Sequence, residues 1–97
     1  MRADRVVTIV NQRGLHARAA GKFVKLAGGF AASVVVTGDD GPVSGLSIMG
    51  LLMLGAARGT HIGIAAEGPD AAAAVDALAQ LVESGFGEDT GIPDPRG

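Results

Sequence analysis

His16 is the side chain in this sequence best placed to act as a nucleophile, because it stands where a strand pattern gives way to a helix pattern. The stretch Asn11-Gln12-Arg13-Gly14-Leu15-His16-Ala17-Arg18-Ala19-Ala20 follows the β-branched run Val6-Val7-Thr8-Ile9-Val10. After it, apolar residues recur at Ala17, Ala20, Val24 and Ala27, spaced as on one helix face. Gly14 marks the turn, which puts His16 at the first position of the helix, among N–H groups that have no helical partner. Those N–H groups and the positive end of the helix dipole suit an anion such as phosphate. An imidazole is largely neutral near pH 7, so a ring nitrogen can attack phosphorus without a separate base. Arg18 adds a permanent charge with a forked set of donors. Together they describe a histidine that accepts a phosphoryl group and passes it on. A lone histidine near an arginine is also compatible with a plain helix-terminal polar residue.

The elements that must position this pair follow from patterning. The first strand is expected over Arg5 to Val10, with Val7 and Ile9 on one face. A helix from about Ala17 to Ala27 stops at Gly28-Gly29. Its polar stripe holds Arg18, Lys22 and Lys25, either a solvated face or a docking strip for acidic partners. A second strand spans Ala32 to Thr37, and Gly38-Asp39-Asp40-Gly41 turns the chain into a short third strand, Pro42-Val43-Ser44. Proline there suggests an edge position. Ser47 is the expected N-cap of a short helix from about Ile48 to Leu54. That helix is apolar nearly all round, so part of it should be exposed, and methionine suits surfaces that bind several partners. The fourth strand, His61 to Glu67, buries Ile62, Ile64 and Ala66 and turns His61 to solvent, with no role in metal binding or catalysis. Gly68-Pro69-Asp70 opens the last helix, with Ala71, Ala74, Val75, Leu78, Leu81 and Val82 as its buried stripe and Gly85 as its end.

The order β-α-β-β-α-β-α predicts an α+β layer, one sheet with its helices on a single face. Residues 1–88 are expected to form one domain. The polar, proline-containing stretch Asp89 to Gly97 is expected to be a flexible tail. Ninety-seven residues, 47% apolar and 19% charged, argue for a single folded core and against disorder. The three phenylalanines, with no tryptophan or tyrosine, leave that core to Val, Ile, Leu and Ala. A net charge of −2 and scarce aromatics argue against nucleic-acid binding. The absence of cysteine excludes a disulfide scaffold and a thiolate metal site. No apolar run approaches the roughly 18 residues of a membrane span, and no signal peptide is expected. A cytoplasmic monomer without metal or cofactor fits these features.

Gly14-Leu15-His16-Ala17-Arg18 resembles the active-site motif of the HPr family, the histidine phosphocarriers of the bacterial phosphoenolpyruvate-dependent phosphotransferase system. Ser47-Ile48-Met49-Gly50-Leu51-Leu52-Met53-Leu54-Gly55 resembles the second signature of that family, and the likeness covers roughly residues 4 to 88. It implies an open-faced sandwich of four mostly antiparallel strands with three helices on one side. It also implies that His16 takes phosphate on Nδ1 from Enzyme I and gives it to an EIIA-type protein. The backbone N–H groups of Ala17 and Arg18 would cradle the phosphoryl oxygens, and the Arg18 side chain would balance charge. Ile48, Met49 and Leu52 would dock partners, with burial in the core as the alternative. Ser47 matches a serine phosphorylated by a dedicated kinase in many members, with a plain cap as the alternative. The match departs at Ala19, where most members have proline, and at Leu46, where lysine is frequent. His-Ala-Arg-Ala and the Met-rich segment look more like the nitrogen-related (NPr) branch, with the sugar branch as runner-up. A regulatory module acting through its apolar helix alone is a further alternative. A small-ligand-binding domain finds no cluster of pocket-type polar groups to support it.

Overall fold

Period-two alternation builds four strands, β1 (Arg2–Thr8), β2 (Ser33–Gly38), β3 (Gly41–Ser44) and β4 (His61–Glu67). Three helices, α1 (Ala17–Ala27), α2 (Ile48–Leu54) and α3 (Ala71–Glu83), interleave with them in the expected order, and a 3₁₀ turn, Gly85–Gly87, follows α3. The computed structural model describes residues 1–88, so the tail expected at 89–97 lies outside the described residues.

The sheet runs β1-β4-β2-β3 with every neighbouring pair antiparallel. Pro42 sits on β3 at the sheet edge, where a missing N–H costs least. Register aligns Val7 with Ile62, Val36 with Ile64 and Val34 with Ala66, so six buried side chains share one face. The opposite face stays open: Val6 is 70% exposed. β1 begins and ends earlier than the residue pattern suggests. β4 supplies a partner for Arg2 through Glu67, which draws the strand toward the N-terminus. Beyond Thr8, Ile9 is held instead by a loop, its N–H donating to the Thr60 carbonyl at 2.9 Å.

The helices cover the buried face. α1 buries Ala19, Ala20, Phe23 and Ala27, while Ala17 is exposed and Val24 half-buried. This is one position round from the expected stripe, because Phe23 carries the largest apolar surface on the helix and goes fully inside. In α3 the expected stripe holds except that Ala79 is buried and Leu81 half-buried, on the rim near Leu26 and Phe30. Leu51 is the one fully buried residue of α2. Phe86, inside the 3₁₀ turn, is 1% exposed although its φ is 57°. A left-handed conformation costs a bulky residue about 1–2 kcal/mol, less than burying a phenylalanine ring gains.

Candidate functional site

The loop that carries His16 is fixed before α1 begins. Gly14 N–H closes a tight turn onto the Asn11 carbonyl at 3.2 Å, and Leu15 N–H donates to the Ala56 carbonyl at 2.9 Å. Gly14 has φ +65°, and a Cβ there would lie 2.4 Å from the Ala56 oxygen. Only glycine meets both demands. Leu15 is buried as the anchor of the loop.

His16 is the N-cap of α1, with φ −83° and ψ −177°, one residue before the first helical position where the sequence places it. The difference arises because its carbonyl takes the first helical bond, from Ala20 N at 2.8 Å, while its own backbone is still extended. Its ring does the work usually done by a serine or aspartate: Nδ1 accepts from Arg18 N–H at 3.3 Å. The N–H groups of Ala17, Arg18 and Ala19 all precede that first helical bond. The ring edge bearing Nδ1 therefore lies beside the positive end of the helix.

The opposite edge of the ring is engaged too. His16 Nε2 lies 2.6 Å from Glu88 Oε2, with the two side chains 23% and 13% exposed. Asn11, fully buried, donates Nδ2 to Glu88 Oε1 at 2.9 Å and to the Gly14 carbonyl at 2.8 Å. Both partners are acceptors, which fixes the orientation of the amide and leaves Asn11 Oδ1 without a partner among the described residues. Lys22 Nζ donates to the Phe86 carbonyl at 2.6 Å, tying the 3₁₀ turn to α1. Burial pushes the Glu88 carboxyl up, but hydrogen bonds from Asn11 and His16, with attraction from the His16 ring and the Lys22 ammonium, outweigh that and hold it below the ordinary carboxylate range. Residue 88 thus packs back against the loop that carries His16.

The remaining sequence candidates separate into two groups. Arg18 is exposed and lines a polar cleft of about 380 Å³ with Gln12, Arg13, Lys22, Gly87 and Glu88. Lys25 is exposed on the same helix. Ser47 caps α2, its Oγ accepting from Gly50 N–H at 2.9 Å. Ile48 and Met49 are exposed, Leu52 is half-buried, and Met53, not singled out from sequence, is the most exposed of α2 at 77%. His61 is exposed and meets Thr8 Oγ1 through Nδ1 at 2.9 Å. Among the described residues no group of His, Cys, Asp or Glu is placed to hold a metal. Sequence reasoning missed Asn11 and Glu88. The nearest cue for Glu88 was Phe86, a large apolar ring just beyond a helix end that gains by being buried.

With this geometry in view, comparison with known proteins is informative. A family model described as "PTS HPr component phosphorylation site" matches residues 3–84. The phosphocarrier protein HPr of Neisseria meningitidis serogroup A is 49% identical over 82 residues, 84% of this chain and 92% of that protein. The phosphocarrier protein NPr of Shewanella violacea is 44% identical over 85 residues, 88% of this chain and 93% of that one. Among solved structures, HPr from Thermoanaerobacter tengcongensis matches with a TM-score of 0.85 at 40% identity, covering 90% of this chain and 98% of the other. A family match across most of the sequence, agreeing with the fold, settles the affiliation: the chain belongs to the HPr family of phosphocarriers of the phosphotransferase system.

Proposed function

We propose that His16 accepts a phosphoryl group on Nδ1 from phosphorylated Enzyme I and passes it to an EIIA-type protein in the cytoplasm. The observation that supports this most directly is the placement of His16 as the N-cap of α1, with Nδ1 accepting from the N–H of Arg18, one of the amides that open the helix. At 3.3 Å the Arg18 N–H bond to Nδ1 is long and weak, so the amide can turn to a phosphoryl oxygen as the nitrogen lone pair meets phosphorus. The N–H groups of Ala17 and Arg18 then hold phosphoryl oxygens, and the Arg18 side chain offsets their charge. Such a group must remain reactive enough to leave again, so the site needs a cradle and not an enclosed pocket.

Partner docking is assigned to Ile48, Met49 and Leu52 on α2 and to Lys22 and Lys25 on α1. Support comes from the exposure of Ile48 and Met49, 44% and 68%, on a helix packed against α1. Phosphorylation of Ser47 by a serine kinase would place a double negative charge beside that apolar surface and oppose docking. His-Ala-Arg-Ala and the NPr relative support the nitrogen branch, with sugar uptake through HPr as the alternative. A second reading, regulation by α2 docking without phosphate, draws on the same exposed methionines.

The deciding experiment incubates the protein with phosphoenolpyruvate and Enzyme I of each branch. One acid-labile phosphate is expected, faster with the nitrogen-branch enzyme and lost in His16→Ala. Phosphate that persists in His16→Ala would overturn the assignment. Regulation retained in a His16→Ala strain but lost in Met49→Asp would favour the second reading.

A further inference from the structure

We infer that Glu88 is a positioning residue for phosphoryl transfer, holding the His16 ring in the tautomer and orientation that leave Nδ1 as the nucleophile. The inference rests on the function proposed above. It starts from the two edges of one ring. A neutral imidazole carries one N–H and one lone pair, and each neighbour selects between them. Arg18 N–H is a donor, so Nδ1, its acceptor at 3.3 Å, must hold the lone pair. Glu88 is an acceptor, so Nε2, at 2.6 Å from its Oε2, must hold the proton. The two contacts lie on opposite edges of the ring and select the same tautomer. They also fix the ring in its plane, since neither can be kept if the ring flips.

The carboxylate is itself held in place. Asn11 Nδ2 grips the second oxygen, Oε1, at 2.9 Å, and the same amide nitrogen holds the Gly14 carbonyl in the loop preceding His16. Phe86 anchors the segment in the core, and Lys22 Nζ clamps the Phe86 carbonyl. The arrangement leaves Asn11 Oδ1 buried without a partner among the described residues, because both amide hydrogens are turned to Glu88 and the Gly14 carbonyl.

The same contact acts during transfer. Attack forms the Nδ1–P bond as the bond from phosphorus to the donor's leaving atom breaks, and that electron pair returns to the donor. The Nε2 proton stays on the ring, which therefore becomes positively charged, and the Glu88 carboxylate balances that charge at hydrogen-bond distance. On discharge the Nδ1–P bond breaks, its electron pair returns to Nδ1, and the neutral tautomer is restored with Nε2–H still on Glu88. No proton has to enter or leave.

The test compares wild type with Glu88→Ala and Glu88→Gln by nitrogen-15 NMR of the His16 ring and by single-turnover phosphorylation from phospho-Enzyme I. Wild type is expected to show Nε2–H with unprotonated Nδ1. Glu88→Ala should lose that bias and slow transfer by about 10- to 100-fold, the scale on which carboxylates that orient metal-binding histidines act. Glu88→Gln keeps size and shape, but it has one oxygen for two donors and an amide that can donate to Nε2, so it should shift the tautomer and slow transfer too. A purely structural Glu88 would leave the Gln variant unchanged in both measurements. Unchanged tautomer and rate in both variants would overturn the inference, as would faster transfer, which would make Glu88 an obstruction. Failure of the wild type to take phosphate from either Enzyme I would count against the function instead. The tautomer of the unphosphorylated ring decides the positioning role in either event.

Discussion

Leu15 N–H donates to the Ala56 carbonyl at 2.9 Å, so the residue before His16 is held by the segment that follows α2. The segment leaving the helix assigned to partner docking and the loop carrying the histidine are thus joined into one hydrogen-bonded unit.

Gly14→Ala tests that unit. The new Cβ would lie 2.4 Å from the Ala56 oxygen, a backbone atom that cannot swing aside, in a backbone with φ +65°. Left-handed strain alone costs about 1–2 kcal/mol, and relief of the clash must break the Leu15–Ala56 bond. We expect a loss of about 2 kcal/mol or more in urea denaturation. The His16 ring resonances should shift in the folded fraction.

Asn11→Ala removes both hydrogen bonds that fix the carboxylate and the loop. Bonds to a charged group are worth about 1.5–3 kcal/mol, and relief of the orphaned Oδ1 returns part of that. A net destabilisation of about 1–3 kcal/mol is expected. Asn11→Asp should be worse, because it sets a second carboxylate against Glu88. Thermal denaturation of the two variants checks the order, and the reverse order would contradict the amide orientation.

On α2, exposure and burial separate function from stability. Met49→Asp alters a side chain 68% exposed, so folding stability should change by no more than about 0.5 kcal/mol. Transfer to and from partners should weaken. Leu51→Ala, in the same helix but fully buried, should cost about 2–5 kcal/mol. Measuring denaturation and transfer side by side distinguishes them. A Met49→Asp protein with normal transfer would remove this face from docking.

Burial on the sheet was legible because period two leaves little choice: once Ile62 faces inward, Ile64 and Ala66 must follow. The placement of His16 and Arg18 at a helix N-terminus was legible because a strand-to-helix change of pattern around a glycine is a local signal. Phe23 was not read as core because spacing alone fits two overlapping stripes on a short helix, and only packing against the sheet chooses the one carrying the ring. The contact of His16 with Glu88 spans 72 positions and depends on a phenylalanine held at φ 57°. No local propensity encodes that, since the burial of Phe86 overrides the ordinary backbone preference. Asn11 was visible as a turn residue, but its role exists only once Glu88 has returned.

Glu88 also sets an acid limit on the site. Its carboxyl is held below the ordinary carboxylate range in the folded protein, the net result of burial raising it and of Asn11, His16 and Lys22 lowering it more. A group whose folded value is depressed adds stability that is complete above its unfolded value and is lost as pH falls through the folded one. The contribution of Glu88 should therefore be fully present above the ordinary carboxylate range and be lost as pH falls through and below that range, as protonation removes the charge that faces His16. Denaturation curves of wild type and Glu88→Gln should converge as pH falls through that window and separate above it. A gap of constant size across the whole range would show that the charge of Glu88 contributes nothing, and that residue 88 is held by Phe86 alone.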